Sequence, residues 1–130
     1  MAAPVHKSRR VALPSATRNS STVSDRIQNI LRHRGIIVFL DITAASGTGG
    51  LKVIVRGYDA FGLAYDLNDG GTPLTATGRR MYVIYPATLD APAGFVADTA
   101  QLPLPQEFDI YVSHADGSNY TYAVSYELIP

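Results

Sequence analysis

After residue 35, every apolar stretch is short enough for a single strand and ends at a cluster of turn residues. "IIVFLDIT" and "LKVIVRGYD" are rich in β-branched and aromatic residues, and segments such as "AASGTGG" and "NDGG" separate such runs. This pattern is typical of β-strands joined by tight turns. It predicts an all-β body over residues 35–130, folded as an antiparallel β-sandwich or a small barrel of 6–8 strands with an extended N-terminal arm.

The last predicted strand, "NYTYAVSYELI", alternates strictly between large and small side chains. A period of two places the large residues on one face, and burial in a core is the favoured interpretation. Three buried phenols, however, need three hydroxyl partners. We therefore expect Val124 and Leu128 to be buried deepest and some aromatic residues to lie at a subunit contact. The candidate contact residues are Tyr120, Tyr122, Tyr126 and Phe95.

Residues 86–107 interrupt the strand pattern with four prolines and a glycine. Proline removes a donor from the strand ladder, so this link is not expected to contain a central strand. A connection of this length is usually functional or bound to a partner.

The net charge of zero hides a strong division along the chain. Residues 1–35 carry seven Lys and Arg against one acidic residue, whereas residues 36–130 carry four against ten. Such polarity indicates a binding partner. We therefore divide the chain into a basic extended arm, residues 1–34, and the β-sandwich body, residues 35–130.

The end of the arm leaves two conformations open. Ser24 is a suitable cap for a short helix at 24–33, with Ile27, Ile30 and Leu31 on one face and Gly35 as its stop. An extended lead-in is the alternative, because a helix of about ten residues is marginal without packing.

Three roles are open for the basic arm: docking on a protein, contact with nucleic acid, or a solvated tail. Its charge suits phosphate binding, but it lacks aromatic residues for stacking on bases. Apolar residues interleaved with charge favour a strip laid over a protein, so protein docking is the prediction and nucleic acid is disfavoured. The predicted partner-binding residues are Lys7, Arg9, Arg10, Leu13, Arg18, Arg26, Arg32 and Arg34.

Three stretches were tested for chemistry, and none is expected to act. His114 and Asp116, beside Ser113 and Asp109, fall at a predicted Asp-Gly turn without an oxyanion-hole motif. "DLNDGG" departs from the EF-hand calcium loop at its fifth and twelfth positions. "SGTGG" lacks the Lys-Ser/Thr ending of a phosphate loop. With no cysteine in the chain, the sequence predicts no catalytic residue, no cofactor and no metal site.

Neither a membrane span nor a secretion signal is expected. No apolar run approaches the roughly 18 residues that a spanning helix needs, and "MAAPVHKSRR" is not followed by an apolar segment. We therefore expect the protein to work in a cytoplasm or in a particle assembled there.

The order of the elements provides one resemblance. A basic arm precedes "RGIIVFLDIT", then a hairpin with "GYD", then "LPLPQEF", and finally "HADGSNYTYAV". This order resembles small structural proteins encoded in the virion modules of tailed bacteriophages, over about residues 17–129. The resemblance implies a non-enzymatic virion protein assembled in the bacterial host cytoplasm.

Within that class, a capsid decoration or cement protein is the preferred hypothesis. Its arm and body would dock on the major capsid protein or other virion proteins, and we expect a homo-oligomer. One alternative is a tail or head–tail connector component that forms a ring. The other is a binding module for nucleic acid or carbohydrate.

Overall fold

The computed structural model describes residues 9–87 and 94–130. Over these ranges the chain forms strands and no helix, and it therefore contains no helix that is long and apolar enough to cross a membrane. The all-β class predicted from the sequence is confirmed. The strands are β1 (Arg9–Arg18), β2 (Thr22–Val23), β3 (Ile27–Gln28), β4 (Gly35–Ala44), β5 (Leu51–Tyr58), β6 (Ala64–Asp66), β7 (Gly78–Ile84), β8 (Val96–Ala100), β9 (Glu107–His114) and β10 (Tyr120–Ile129).

The strands form two five-stranded sheets. Sheet A has the order β1-β10-β4-β7-β8, and sheet B has the order β2-β9-β5-β6, with β3 also pairing with β9. Among the described strands, every pair is antiparallel except β7 with β8. The strand number exceeds the expected 6–8 because β2 and β3 have two residues each and β6 has three. Pieces this short do not form a recognisable run in the sequence.

Alternating side chains of both sheets meet in one core. In β5, the side chains of Leu51, Val53 and Val55 are fully buried, while the residues between them lie on the other face. In β4, Ile36, Val38 and Leu40 do the same. The uninterrupted apolar run of β4 suggested cover on both faces, but its second face is only partly buried.

The tyrosine row of β10 lies in this core. Tyr120, Tyr122 and Tyr126 are 1%, 0% and 4% exposed, whereas Leu128 is only partly buried. The favoured core interpretation is therefore confirmed, and Val124 is fully buried as expected. The expectations that Leu128 lies deepest and that some of these tyrosines lie at a subunit contact are wrong. The reason is that the inward face of β10 packs against sheet B, where Tyr126 contacts Phe108 of β9 edge to face.

Two of the phenol groups have partners that the sequence did not reveal. The Tyr120 hydroxyl donates to the Thr48 carbonyl at 2.6 Å. The Tyr122 hydroxyl lies 2.9 Å from Nε2 of His114. A hydrogen-bonded phenol can be buried without the penalty that an unpaired one carries.

The described part of the N-terminal arm contributes strands to both sheets. β1 pairs with β10 along sheet A, and Leu13, opposite Val124, enters the core. The next strands, β2 and β3, pair with β9 in sheet B.

The helix considered at 24–33 does not form, and the extended alternative is correct. Ser24 does not cap a helix. Its backbone N–H donates to the Ile110 carbonyl at 2.9 Å, and its hydroxyl oxygen accepts from the Ile110 N–H at 2.9 Å. These bonds to β9 give the segment the partners that an isolated helix of this length would lack.

The 86–107 link contains one strand, β8, which lies at the edge of sheet A. This agrees with the prediction that the link holds no central strand. Pro103 and Pro105 lie outside the strands. Residues 88–93 of the link, including Pro92, are outside the described residues.

Candidate protein-interaction surfaces

Large apolar side chains are exposed at one end of the sandwich. Gln28 pairs with Glu107 and Gly57 with Phe108, so the turn after β3 and the loop after β5 emerge at the same end. We call this the loop end. Clustered exposed apolar groups are typical of interaction sites. Those at the loop end are Ile30, Leu31, Phe61, Leu63 and Leu102.

The first structure at the loop end is the 29–34 turn, which is held by the buried side chain of Asn29. Its Oδ1 accepts from the His33 N–H at 2.8 Å, and its Nδ2 donates to the His33 carbonyl at 2.8 Å. The backbone N–H of Asn29 also donates to the Gln106 carbonyl at 2.7 Å. The Asn29 side chain thus closes the turn on His33, and the Asn29 backbone ties the turn to Gln106.

The fixed turn presents apolar and basic side chains together. Ile30 and Leu31 are 81% and 60% exposed. Arg32, in the left-handed region with φ of 53°, and Arg34 are also exposed. Sequence reasoning missed the exposure of Ile30 and Leu31, because the helical alternative grouped them with Ile27 on one face and the extended alternative did not address their exposure. Asn29 was the available signal, since a buried amide commonly closes a turn.

The other predicted partner-binding residues of the arm differ in their exposure and in their contacts within the chain. The Arg18 guanidinium donates to the carbonyls of Pro14 and Tyr122, and Arg26 pairs with Glu107 at 3.1 Å. Both are therefore engaged within the chain. Leu13 is buried in the core, so its side chain is not on the surface. Arg9 and Arg10 are exposed on β1, and Lys7 lies outside the described residues.

The second structure at the loop end is the 59–65 hairpin, which is organised by Asp59. Oδ1 of Asp59 accepts from the N–H groups of Leu63 at 3.0 Å and Phe61 at 2.9 Å, and Oδ2 accepts from the Tyr65 hydroxyl at 3.0 Å. These bonds, that of Leu63 foremost, hold the pKa of Asp59 below its ordinary value. The loop therefore presents Phe61, 89% exposed, on a braced backbone.

The sequence contains a signal for this hairpin that was not used. "DAFGLAYD" joins two strands through a short turn, yet it places Phe61 and Leu63 where turns usually carry polar residues. Apolar residues exposed together at a turn are candidates for a contact surface.

A third feature is a cleft of about 530 Å³ on the outer face of sheet A. We call it the sheet-A cleft. Phe39 and Met81 face each other across neighbouring strands, with Val11 on one side and Phe95 on the other. Phe95 is the one predicted contact residue that is exposed, at 54%. The lining residues are Val11, Phe39, Leu40, Asp41, Arg79, Arg80, Met81, Phe95, Ala123, Val124 and Ser125.

The outer face of sheet B carries a polar cluster around Asp109, which is only 2% exposed. Asp109 accepts two hydrogen bonds from Arg56, both at 2.9 Å, and one from the Tyr58 hydroxyl. The bond to Asp109 raises the pKa of Arg56 and that of Tyr58. The Arg26 guanidinium lies 3.9 Å from the Tyr58 ring centroid and covers the cluster. This cluster connects β5 and β9 and stabilises the sheet.

Three of the four residues considered for a catalytic triad, Asp109, His114 and Asp116, are bonded to other partners. Asp109 is bonded to Arg56, and Asp116 accepts from the backbone N–H of Ser118 at 3.0 Å. His114 is bonded to Tyr122. The four residues are thus not arranged as nucleophile, base and orienting acid.

His114 makes stability dependent on pH. Burial, followed by the nearby charge of Arg18, lowers its pKa in the folded state. Its buried Nδ1 has no hydrogen-bond partner among the residues the structure describes, which also disfavours a charged ring. The unfolded chain, with a histidine pKa of about 6.5, therefore binds the proton more readily.

We accordingly expect the free energy of unfolding to fall as the pH is lowered through about 6.5. Urea titrations of the wild type and His114→Gln, at several pH values between neutral and mildly acidic, measure this effect. The variant should lose less stability over the range than the wild type. Equal losses in the two proteins would contradict the prediction.

The two loops that resembled ligand sites have structural roles. In "DLNDGG", buried Asn68 accepts from the Val55 N–H at 2.8 Å and donates to the Val53 carbonyl at 3.0 Å, as a neighbouring strand would. In "SGTGG", the Thr48 carbonyl accepts from Tyr120 and Ser118. No group of three or more His, Cys, Asp or Glu suited to a metal ion occurs within residues 9–87 and 94–130.

Comparison of the chain with protein-family models found no match, and comparison with characterised proteins found no significant relative. The resemblance to virion proteins therefore stays a prediction, and the surfaces of the molecule carry the functional argument.

Proposed function

We propose that this protein is a non-enzymatic structural component of a tailed-bacteriophage virion, of the capsid decoration or cement kind. The observation that carries the proposal is the 29–34 turn, where exposed Ile30 and Leu31 stand beside Arg32 and Arg34 on a loop fixed by Asn29. This turn belongs to the arm for which the sequence predicts protein docking.

The composition of the turn supports a protein partner with an apolar and acidic surface. Arginine is enriched in protein interfaces, and the fully buried centre of an interface is more apolar than the rest of the surface. A surface of isolated basic residues would fit a phosphate backbone equally well, but two exposed aliphatic side chains at the tip would gain little from it.

The rigidity of the turn also supports docking on a lattice. A loop that already has its bound shape loses little conformational entropy on association, so more of the contact energy appears as affinity. Many copies on a repeating capsid surface would then strengthen a shell through contacts that are individually modest.

The direct test is co-sedimentation of the purified protein with empty capsids of the phage that encodes it. We expect the Ile30→Ser, Leu31→Ser double variant to bind at least about 30-fold more weakly, because burying the two aliphatic side chains against a partner would contribute about 2 kcal/mol or more together. Val23→Ser is the matched control, since Val23 is 44% exposed on β2, away from the loop end. It should bind as the wild type does.

The charges of the turn are tested separately. The Arg32→Glu, Arg34→Glu variant should bind more weakly at low salt, and the difference should shrink as salt is added. Unchanged binding by both double variants would exclude the turn as the docking surface. Failure of the wild type to bind capsids would contradict the proposed function.

Electron microscopy of labelled particles separates decoration from the connector alternative. A decoration protein covers the whole shell, whereas a neck or tail component occurs at one vertex or along the tail. Label confined to a vertex would replace the decoration proposal with the connector one.

A further inference from the structure

We infer that the protein self-associates head to tail: the 59–65 hairpin of one copy inserts into the sheet-A cleft of the next copy. This inference goes beyond the proposed function, because it concerns the purified chain alone and holds or fails without a capsid. It uses two surfaces of the molecule that the 29–34 turn does not occupy.

The hairpin has the properties of an inserting element. Phe61 and Leu63 are 89% and 58% exposed at its tip, and Tyr65 at its base is 56% exposed. Asp59 fixes the backbone through its bonds to the tip residues. Burying one aromatic side chain removes about 150–250 Å² of surface from water, and this hairpin does not need to be ordered first.

The sheet-A cleft has a matching size and chemistry. A volume of about 530 Å³ falls within the usual range of binding pockets, roughly 300–1,000 Å³. Its floor carries the small residues Ala123 and Ser125, and its walls include Phe39 and Met81. Small residues flanked by large ones leave a depression that an aromatic ring can fill.

Backbone hydrogen bonds hold the residues that form the walls of the cleft. Phe39 and Met81 lie directly opposite each other in the pairing of two long strands. Phe95 is positioned by its backbone carbonyl, which accepts from the Met81 N–H at 2.7 Å. The walls are therefore fixed relative to one another before a partner arrives.

The charges around the two surfaces are complementary. The hairpin carries Asp59 at its start and exposed Asp66 at its end. The rim of the cleft carries Arg79 and one acidic residue, Asp41, which is opposite Arg79 in the strand pairing, whereas Arg80 pairs with inward-facing Leu40. Arg79 forms no ion pair with any residue in the described part of the chain. The hairpin can therefore bring a carboxylate to the Arg79 guanidinium.

Because the hairpin and the cleft are different surfaces, the contact between copies is heterologous. An open chain of copies then keeps one free hairpin at one end and one free cleft at the other, until it closes into a ring. A symmetric contact between two hairpins would stop at a dimer. This difference provides a decisive test.

The experiment is sedimentation velocity of the purified protein over a wide concentration range. Phe61→Asp removes the inserting ring, and Phe95→Asp removes a wall of the cleft. Both residues are more than half exposed, so both variants should fold, which circular dichroism and thermal unfolding verify. Val23→Asp, an exposed site on neither surface, is the matched control. Phe61→Ser is a second hairpin variant without added charge.

We expect the wild type and Val23→Asp to form concentration-dependent oligomers and each hairpin or cleft variant to be monomeric. An equimolar mixture of Phe61→Asp and Phe95→Asp should form dimers and nothing larger, because it contains one intact hairpin and one intact cleft per pair. A wild type that stays monomeric at near-millimolar concentration would overturn the inference. So would a mixture that stays monomeric, or hairpin variants that associate as the wild type does.

Discussion

Replacing Asp109 with alanine is expected to lower the free energy of unfolding by about 3 kcal/mol, because breaking a buried ion pair typically costs that much. Asp109 is 2% exposed and accepts hydrogen bonds from Arg56 and Tyr58. Its removal leaves a guanidinium whose exposure is only 25% without its partner. Urea unfolding monitored by tyrosine fluorescence measures the loss.

A second variant separates the cost of an unpaired charge from the value of the pair. Arg56→Met, Asp109→Leu removes both charges and fills similar volume, so it should recover most of the stability lost by Asp109→Ala. The matched control is Asp25→Ala, since Asp25 is an exposed aspartate outside the strands. It should change stability by less than about 0.5 kcal/mol. A loss in Asp25→Ala as large as that in Asp109→Ala would contradict the assigned role of Asp109.

The second large effect concerns the N-terminal arm. Leu13→Ala is expected to lower the free energy of unfolding by about 3 kcal/mol, the usual cost of deleting a buried leucine side chain. Leu13 is 7% exposed and packs in the common core, although it lies far along the sequence from the other core strands. A detachable arm would tolerate this change without a loss of stability.

Val11→Ala is the control for that experiment, because Val11 lies on the same strand but is 69% exposed. At protein concentrations low enough for a monomer, its effect should stay within about 0.5 kcal/mol. Equal unfolding free energies of Leu13→Ala and the wild type would show that β1 does not contribute to the folded body.

The strands of the body could be predicted from sequence because their pattern is local. Alternation in β5 and β10 identifies a buried face without knowledge of the partner strands. Burial of the three tyrosines of β10 was harder to predict, since it depends on hydrogen-bond partners from distant positions. The Thr48 carbonyl and the His114 ring supply two of them, and no spacing rule connects these residues.

The candidate surfaces were less predictable than the core, for a related reason. In residues 24–33 the apolar spacing suits a helix, but hydrogen bonds from Ser24 to Ile110 and from Asn29 to Gln106 determine an extended path. Tertiary contacts thus override a weak local preference. Because no helix forms, Ile30 and Leu31 lie at the tip of a turn and not on one face of a helix.

The N-terminal strands also determine when this chain can fold. β1 pairs with β10, whose partner residues are 120–127, and β2 and β3 pair with β9, at 107–112. The central strand β4 has an earlier partner in β7, at 78–84. During synthesis on the ribosome, β1, β2 and β3 therefore stay unpaired until residues 107–127 have emerged. Contacts between such distant positions slow folding, so both sheets are completed only when β9 and β10 are available, and their edges are open in the meantime.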